Sequence, residues 1–279
     1  MSLIEFISFG RRSLGTFCAS FVTLSSEALM TRVFLFVLFG IFSIFGLTSN
    51  AAAQNDQQLF LSIYQHLEPG SFDAWETARK ERLEVYEQHN YPFQDFVSLS
   101  SDGVARINIR LANGWEDMEK RRTWFQSLPA SARSSFQNRN NGVRYMVQHI
   151  GRPQPDLFYV PDSPRLEQGE ANMFHEIRLY TTPGSGQEVR ATLASIASLM
   201  AAHELSDPRF VRFNFVGGEG LSYSVFTPAE SAAAYFEQSE SNSETMGADW
   251  QQLLAELGAN LRKVERINWA GRRDLSYTP

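Results

Sequence analysis

Glu176, Arg178 and Tyr180 occupy alternate positions in the stretch Phe174–Gly184, and apolar residues lie between them. A period of two is typical of a β-strand, so these three side chains share one face. A carboxylate, a guanidinium and a phenol on one face can bind an anionic or aromatic ligand. The same three groups can also do nothing more than pair with one another.

A second stretch of this kind lies upstream. Leu59–Gly70 also alternates and ends in Pro-Gly, with Pro69 and Pro183 separated by 114 positions. Its polar face includes Tyr64 and His66. His66 titrates near neutral pH and could act as a general base beside Tyr64. The alternative is a hydrogen-bonded residue in the wall of a site.

The elements that position these residues recur in the same order. Each copy is predicted to run strand–helix–strand–strand–helix–strand, and further landmarks repeat at spacings of 116 and 118: Pro92 with Pro208, and Asp156–Pro161 with Asp274–Pro279. The last helix of each copy is predicted over Ala132–Ile150 and Asp249–Ile267. This order is the ferredoxin-like unit, whose helices cover one face of its sheet.

The uncovered face of each sheet needs a partner, and the other copy supplies one. We therefore predict an α+β fold in which two ferredoxin-like βαββαβ repeats form one intramolecular, pseudo-dimeric α+β barrel. The predicted boundaries are 54–161 for the first repeat, 162–172 for a polar linker and 173–279 for the second repeat.

The phase of the strands assigns a polar set to the barrel interior. It comprises Phe60, Ser62, Tyr64, His66, Arg106, Asn108, Arg110, Phe174, Glu176, Arg178, Tyr180, Arg212 and Asn214. Several arginines in an enclosed barrel need anions or water. One interpretation is therefore an Arg-lined pocket for a carboxylate or similar anion. The other is structural, with Glu176 paired to an arginine while Arg106 and Arg110 face solvent.

Residues Phe174–Gly184 resemble the opening strand of NIPSNAP-type domains, which belong to the dimeric α+β barrel superfamily. The resemblance is specific over eleven residues and architectural over the rest of 59–279. The first repeat departs from it, because Ser62, Tyr64 and His66 replace the polar triplet of the second. The superfamily includes cofactor-free monooxygenases, haem enzymes and proteins of unknown activity, so the resemblance does not choose a reaction.

By analogy with the haem-binding relatives, His149 at the end of a predicted helix is a candidate haem ligand; the alternative is a histidine that interacts with the helix dipole. The sequence contains no His-x-x-x-His, Gly-x-Ser-x-Gly, phosphate loop or dinucleotide fingerprint. We therefore expect no cofactor and no metal.

The N-terminal segment has the features of a secretory signal. Arg32 precedes the uncharged run Val33–Leu47, and Ala51-Ala52-Ala53 follows it. A basic residue, a short apolar core and an A-x-A site predict a leader over residues 1–53, with Met1 or Met30 as its start. The run is shorter than the ~20 residues of a spanning helix, so a retained anchor is the weaker alternative, as is twin-arginine export through Arg11-Arg12.

Cleavage would leave a chain without cysteine, because Cys18 lies in the leader. The leader also contains three Arg and two Glu, so 22 basic and 29 acidic residues remain, a net charge of −7. An acidic periplasmic or secreted protein is a poor candidate for binding nucleic acid or, after cleavage, membranes. We expect a small-molecule ligand as partner, and the oligomeric state is left open.

Three functions follow from these observations, and whether the protein is an enzyme is left open. The first is an exported protein that binds an anionic or aromatic ligand in its barrel, with cofactor-free oxidative or isomerase chemistry as an option. In that case His66 and Tyr64 are the candidate catalytic residues. The second is a non-enzymatic assembly module whose barrel is filled. The third is a haem-binding barrel.

Export predicts a mature N-terminus at or near Gln54, to be measured by mass spectrometry of the protein isolated from its native host. Replacing a small residue of the cleavage site, Ala53→Leu, should leave the leader attached, because the site needs small side chains. Peptides from residues 30–50 in the isolated wild-type protein would contradict this prediction.

Overall fold

Eight antiparallel strands close into one barrel in the computed structural model, which describes residues 57–137, 142–166 and 170–279. The predicted leader, residues 1–53, lies outside the described residues. No helix among the described residues combines the length and the apolar character that a bilayer crossing requires.

The first repeat supplies four strands and three helices. They are β1 Leu59–Leu67, α1 Phe72–Gln88, β2 Asp95–Ser100, β3 Val104–Leu111, α2 Trp115–Ser127, α3 Ala130–Gln137 and β4 Val143–Pro153. A short 3₁₀ turn, Pro155–Leu157, follows β4.

The second repeat supplies four strands and two helices. They are β5 Met173–Thr181, α4 Gly186–Ala202, β6 Phe210–Gly217, β7 Ser222–Ala229, α5 Ala232–Ala259 and β8 Leu261–Gly271. Helix α5 is broken at Gly247, whose φ is 58°. A second 3₁₀ turn, Arg273–Leu275, follows β8.

The order of strands around the barrel is β1-β3-β2-β8-β5-β7-β6-β4. Each repeat therefore contributes a sheet with the ferredoxin-like order, β4-β1-β3-β2 and β8-β5-β7-β6. The two sheets join at the seams β2–β8 and β4–β6. The predicted fold, two βαββαβ repeats in one intramolecular barrel, is confirmed.

The predicted last helix of each repeat was wrong in its C-terminal part, where the structure has the fourth strand. Val143–Pro153 and Leu261–Gly271 are strands, although both had been assigned to the ends of helices. Neither strand has one apolar and one polar face: in β8, Lys263 and Glu265 lie on the half-buried side, where an apolar residue would be expected. The strand conformation is set by pairing with neighbours on both sides, which a local pattern does not reveal.

The main apolar core lies outside the barrel, between each half-sheet and its helices. In the first repeat, Ile107 and Ile109 belong to one cluster with Trp75 and Tyr86. In the second, Leu179 and Val225 belong to another with the stripe of α4: Val189, Leu193, Ile196 and Met200. Burying each such side chain stabilises the fold by roughly 1.5–3 kcal/mol.

The chain crosses between the repeats after each fourth strand. Leu157 and Tyr159 pack in the core of the second repeat, and Tyr159 pairs with Arg209. Leu275 and Tyr277 pack in the core of the first repeat. A buried ion pair holds this second crossing: Arg79 on α1 contacts Asp95 at 2.5 Å and donates to the carbonyl oxygen of Leu275 at 2.8 Å. Each repeat therefore completes the core of the other.

Separated repeats should not fold alone. Residues 57–166 would lack both seam partners and the core residues Leu275 and Tyr277, so we expect this fragment to aggregate or associate. Co-expression with residues 170–279 should restore one compact species with a single cooperative melt, measured by size-exclusion chromatography and circular dichroism. A soluble monomeric 57–166 fragment with a cooperative melt would refute the intramolecular barrel and the boundaries predicted at 162–172.

Candidate functional site

Ten residues of the predicted interior set are 5% exposed or less. They are Phe60, Ser62, Tyr64, Arg106, Asn108, Glu176, Arg178, Tyr180, Arg212 and Asn214. They reach the interior because successive side chains of a strand point to opposite faces, and the outward face of each strand is taken by the apolar core. The alternative in which Arg106 points into solvent is wrong.

Glu176 is the centre of a buried polar network. It accepts hydrogen bonds from Arg178 at 3.0 and 3.2 Å, Arg106 at 3.3 Å, Ser224 at 2.7 Å and the indole of Trp269 at 2.7 Å. Burial alone would raise its pKa, but Arg178, Arg106 and the hydrogen bonds outweigh burial and lower the pKa to about 2. Glu176 is therefore an ionised structural anion.

Arg178 connects this network to the end of the barrel. Its guanidinium donates to Glu265 at 3.2 Å and lies over the ring of Tyr64, 4.6 Å from the centroid. Tyr180 donates to the same Glu265 oxygen at 2.9 Å. Burial alone would lower the pKa of Arg178, but the Glu176 carboxylate outweighs it and the pKa is raised. Arg178 is thus already paired with two carboxylates.

Arg212 is buried without a carboxylate in contact among the described residues. It donates to Ser62 at 2.7 Å and to Asn108 at 3.1 Å. The rings of Phe60 and Phe226 lie 4.5 and 5.0 Å from its guanidinium carbon. Burial lowers its pKa to about 10, so Arg212 remains a cation at neutral pH. This packing fills the middle of the barrel.

Arg110 does not join the network. It is half-buried, and its Nε atom has no hydrogen-bond partner within the described residues. Burial lowers its pKa. The other predicted ligand-binding residues are brought together by contacts, but Arg110 is not one of them.

The interior opens at one end of the barrel into a cleft of about 830 Å³, which we call the mouth cleft. Both repeats line it. Its lining includes Tyr64, His66, Ser100, Asp102, Tyr145, His149, Arg178, Tyr180, Glu219, Lys263, Glu265, Arg266 and Trp269.

Sequence reasoning missed the contributions of β4 and β8 to this cleft. Lys263, Glu265 and Trp269 lie on a strand that had been predicted as helix up to Ile267. The signal that could have found them is the alternation of Lys263 and Glu265, which matches strand spacing.

The two predicted catalytic residues both line the mouth cleft. His66 stacks on Tyr145 with ring centroids 4.0 Å apart. Burial lowers the pKa of His66 below 6.5, Glu265 opposes this and Arg178 adds to it. Its imidazole is therefore neutral at pH 7 and can accept a proton. Tyr64 is deeper, 4% exposed, between Arg178 and His149.

His149 does not fit a haem ligand. It is 2% exposed, and burial together with Arg178 lowers its pKa to about 4. Gly218 covers its Nε2 atom so closely that a Cβ there would lie 2.2 Å away. The Nδ1 atom is buried and has no partner among the described residues. Neither nitrogen is open to an iron atom. In the described ranges, no three His, Cys, Asp or Glu residues are grouped so as to hold a metal.

No protein-family model matches the chain, and no curated protein matches it in sequence. Several solved structures match the chain in fold. An anthrone oxidase-like protein is 12% identical at a TM-score of 0.55, over 78% of this chain and 92% of its own. A protein named as a monooxygenase from Fusobacterium nucleatum subsp. nucleatum is 7% identical at a TM-score of 0.50, and the match covers 77% of this chain and 92% of that protein. A chlorite dismutase from Candidatus Nitrospira defluvii is 9% identical at a TM-score of 0.48, and the match covers 80% of this chain and 94% of that protein.

These neighbours are dimeric α+β barrels, and the chain has that fold. Identities this low show the fold alone, and the chlorite dismutase match is too weak to carry an argument. The specific resemblance to NIPSNAP-type domains stays a prediction.

Glu176→Gln should cost on the order of 3–5 kcal/mol of unfolding free energy, because it leaves Arg106 and Arg178 without their shared carboxylate. Glu265→Gln is the matched control: it removes a carboxylate from the same Arg178, but Glu265 is 29% exposed and should cost far less. Urea denaturation of both variants measures the difference. Equal losses would show that Glu176 is not the centre of the network.

The same residue predicts a dependence on pH. The folded pKa of Glu176, about 2, lies below its ordinary value of 4.5, so its contribution is complete above pH 4.5 and is lost as the pH falls toward 2. The wild-type unfolding free energy should therefore fall more steeply over this window than that of Glu176→Gln. Parallel curves would contradict the assignment.

Proposed function

We propose that this chain is an exported protein that binds a small aromatic molecule in the mouth cleft and can transfer a proton from it without a cofactor. The observation that carries the proposal is the convergence of polar groups from both repeats at one open end of an otherwise filled barrel. Ligand sites are typically concave, with a few placed polar groups among apolar or aromatic walls.

The charges of the mouth cleft favour an uncharged ligand over an anionic one. Three acidic and three basic side chains line it: Asp102, Glu219 and Glu265 against Arg178, Lys263 and Arg266. Glu265 accepts a hydrogen bond from Lys263 at 2.8 Å. Its carboxylate also takes the place beside Arg178 and Tyr180 that the carboxylate of a ligand would need. An incoming carboxylate would have to displace Glu265. A phenol or another neutral aromatic needs no displacement.

The walls suit a flat ring. Tyr145 stacks on His66, and Tyr64 lies 5.8 Å from Trp269 between ring centroids. Aromatic pairs at such distances contribute about 0.5–1.5 kcal/mol beyond the area they bury.

The available chemistry is proton abstraction. A neutral His66 can take a proton from a phenol or an acidic carbon of the ligand, and the imidazolium that forms lies beside the ligand anion and stabilises it. Return of the proton at another atom is an isomerisation, and reaction of the anion with O₂ is a cofactor-free oxidation. The oxidative option draws on the names of the two neighbours with the higher TM-scores, which is an analogy of fold.

A non-enzymatic assembly role is the second candidate. The filled middle of the barrel favours it, as do exposed aromatic side chains on the outer surface such as Trp115, 54% exposed, and Phe236, 55% exposed. A protein that carries no small molecule and binds none in the mouth cleft would support this alternative.

Native mass spectrometry of the purified protein should detect a small molecule retained in the mouth cleft. Ser100→Trp places a bulky ring in the cleft and should abolish retention, as well as the binding of 2-naphthol as a test aromatic. Ser101→Trp is the matched control, because Ser101 is exposed and is not part of the cleft lining. Equal retention and equal naphthol affinity in the two variants would refute the mouth cleft as the binding site.

The proposed base can be tested with the same probe. 2-Naphthol fluoresces at different wavelengths in its neutral and deprotonated forms, so a proton acceptor beside it produces naphtholate emission. We expect naphtholate emission from the wild-type complex and its loss in His66→Gln. It should also vanish below the His66 pKa, which lies under 6.5. His203→Gln, an exposed histidine outside the cleft, is the control. Unchanged emission in His66→Gln would remove His66 from this role.

A further inference from the structure

We infer a second binding site, for an anionic molecule with a flat apolar body, in a cleft on the outer surface of the second repeat. This outer cleft has a volume of about 880 Å³. It lies on the opposite face of the sheet from the barrel interior, beside the Pro183-Gly184 turn, the start of α4 and the hairpin that joins β6 to β7. It is independent of the proton-transfer function proposed above.

Three aromatic side chains form the floor. The ring of Phe213 lies 4.9 Å from that of Tyr223 and 6.3 Å from that of Phe215. Ser222 and Ser224 on either side of Tyr223 face the barrel interior, so Tyr223 points outward by strand alternation. Adjacent aromatic faces of this kind bind flat apolar groups.

The charge of the outer cleft is positive. Arg152, Arg190 and Arg262 line it against a single acid, Glu219. Arg190 is paired with Asp156, and Arg262 with Glu219. Arg152 is exposed, lies 6.0 Å from the Phe215 ring and has no acidic partner among the described residues. A guanidinium free at the edge of an aromatic floor suits a carboxylate, sulfonate or phosphate on the ligand.

The duplication gives an internal comparison that explains why the cleft exists. The helices α1 and α4 both have 17 residues, and the strand registers place Phe72 at the position of Gly186 and Ala105 at the position of Tyr223. Phe72 packs within 5.9 Å of Trp75 and 5.6 Å of Arg272, where it fills the corresponding space of the first repeat.

Gly186 leaves that space open. A Cβ built on it meets no atom within 4 Å, and its backbone conformation does not require glycine. Of the lining arginines, Arg152 on β4 of the first repeat corresponds by register to Ala270 on β8 of the second repeat. The outer face of the second sheet therefore lacks the aromatic residue that fills this space on the first sheet, and β4 places an unpaired cation beside the opening.

Isothermal titration of the whole chain with naphthalene-2-sulfonate tests the site. Gly186→Phe restores the side chain of the first repeat and should weaken binding at least tenfold. Arg152→Glu, at an exposed position that the fold does not need, should do the same. Arg144→Gln is the matched control: Arg144 corresponds to Arg262 by register, is exposed and lines neither cleft.

Binding at the two clefts can be distinguished by the charge of the probe and by the substitution that affects each cleft. 2-Naphthol, the uncharged counterpart, should be insensitive to Arg152→Glu, and the sulfonate should be insensitive to Ser100→Trp. Sulfonate affinity that is unchanged in both Gly186→Phe and Arg152→Glu, or no sulfonate binding by the wild type at millimolar concentration, would overturn the proposal without bearing on the mouth cleft.

Discussion

The buried carboxylate of Glu176 is the interaction on which the barrel depends. It is fully enclosed, and its hydrogen-bond donors come from both repeats: Arg106 from the first, and Arg178, Ser224 and Trp269 from the second. Removing charges from water is costly, and only dense pairing offsets that cost. The contact of Arg106 with Glu176 therefore ties the sheet of one repeat to the sheet of the other from inside, while the crossed C-terminal segments of the repeats tie them from outside.

Duplication within one chain allows an asymmetric interior. By strand register, Ser62, Tyr64 and His66 occupy in the first repeat the positions of Glu176, Arg178 and Tyr180 in the second. The differences are complementary, since Tyr64 supplies an aromatic face for Arg178. A barrel built from two identical copies of the second repeat would instead contain two Glu-Arg pairs and no such ring. The mouth cleft, with His66 on one side and Tyr180 on the other, depends on the same asymmetry.

The opening strands, their phase and the repeat were predictable from the sequence, because one apolar face and a Pro-Gly turn mark both strands. Tyr64, Arg106, Glu176 and Arg178 were accordingly placed inside the barrel. The fourth strands were harder to predict, because Lys263 and Glu265 face the open mouth cleft and β8 has no apolar side; only the alternation of these two residues marks it as a strand. Trp269 was therefore missed as a partner of Glu176, and the predicted Arg-lined pocket lacked Glu265, the acidic side chain of β8 that helps to balance its charge.

Buried arginines by themselves say little about ligand charge, and the two clefts show why. Arg106, Arg178 and Arg212 are each saturated by carboxylates, hydroxyl groups or aromatic rings of the protein. Their charge is committed to the fold, and an anion could use it only by displacing a protein group. Arg152 is less noticeable in the sequence, yet its charge is exposed and unmatched among the described residues. We therefore expect the accessible, uncompensated charge, rather than the total number of arginines, to set the preference of each cleft: neutral aromatic at the mouth and anionic on the outer surface.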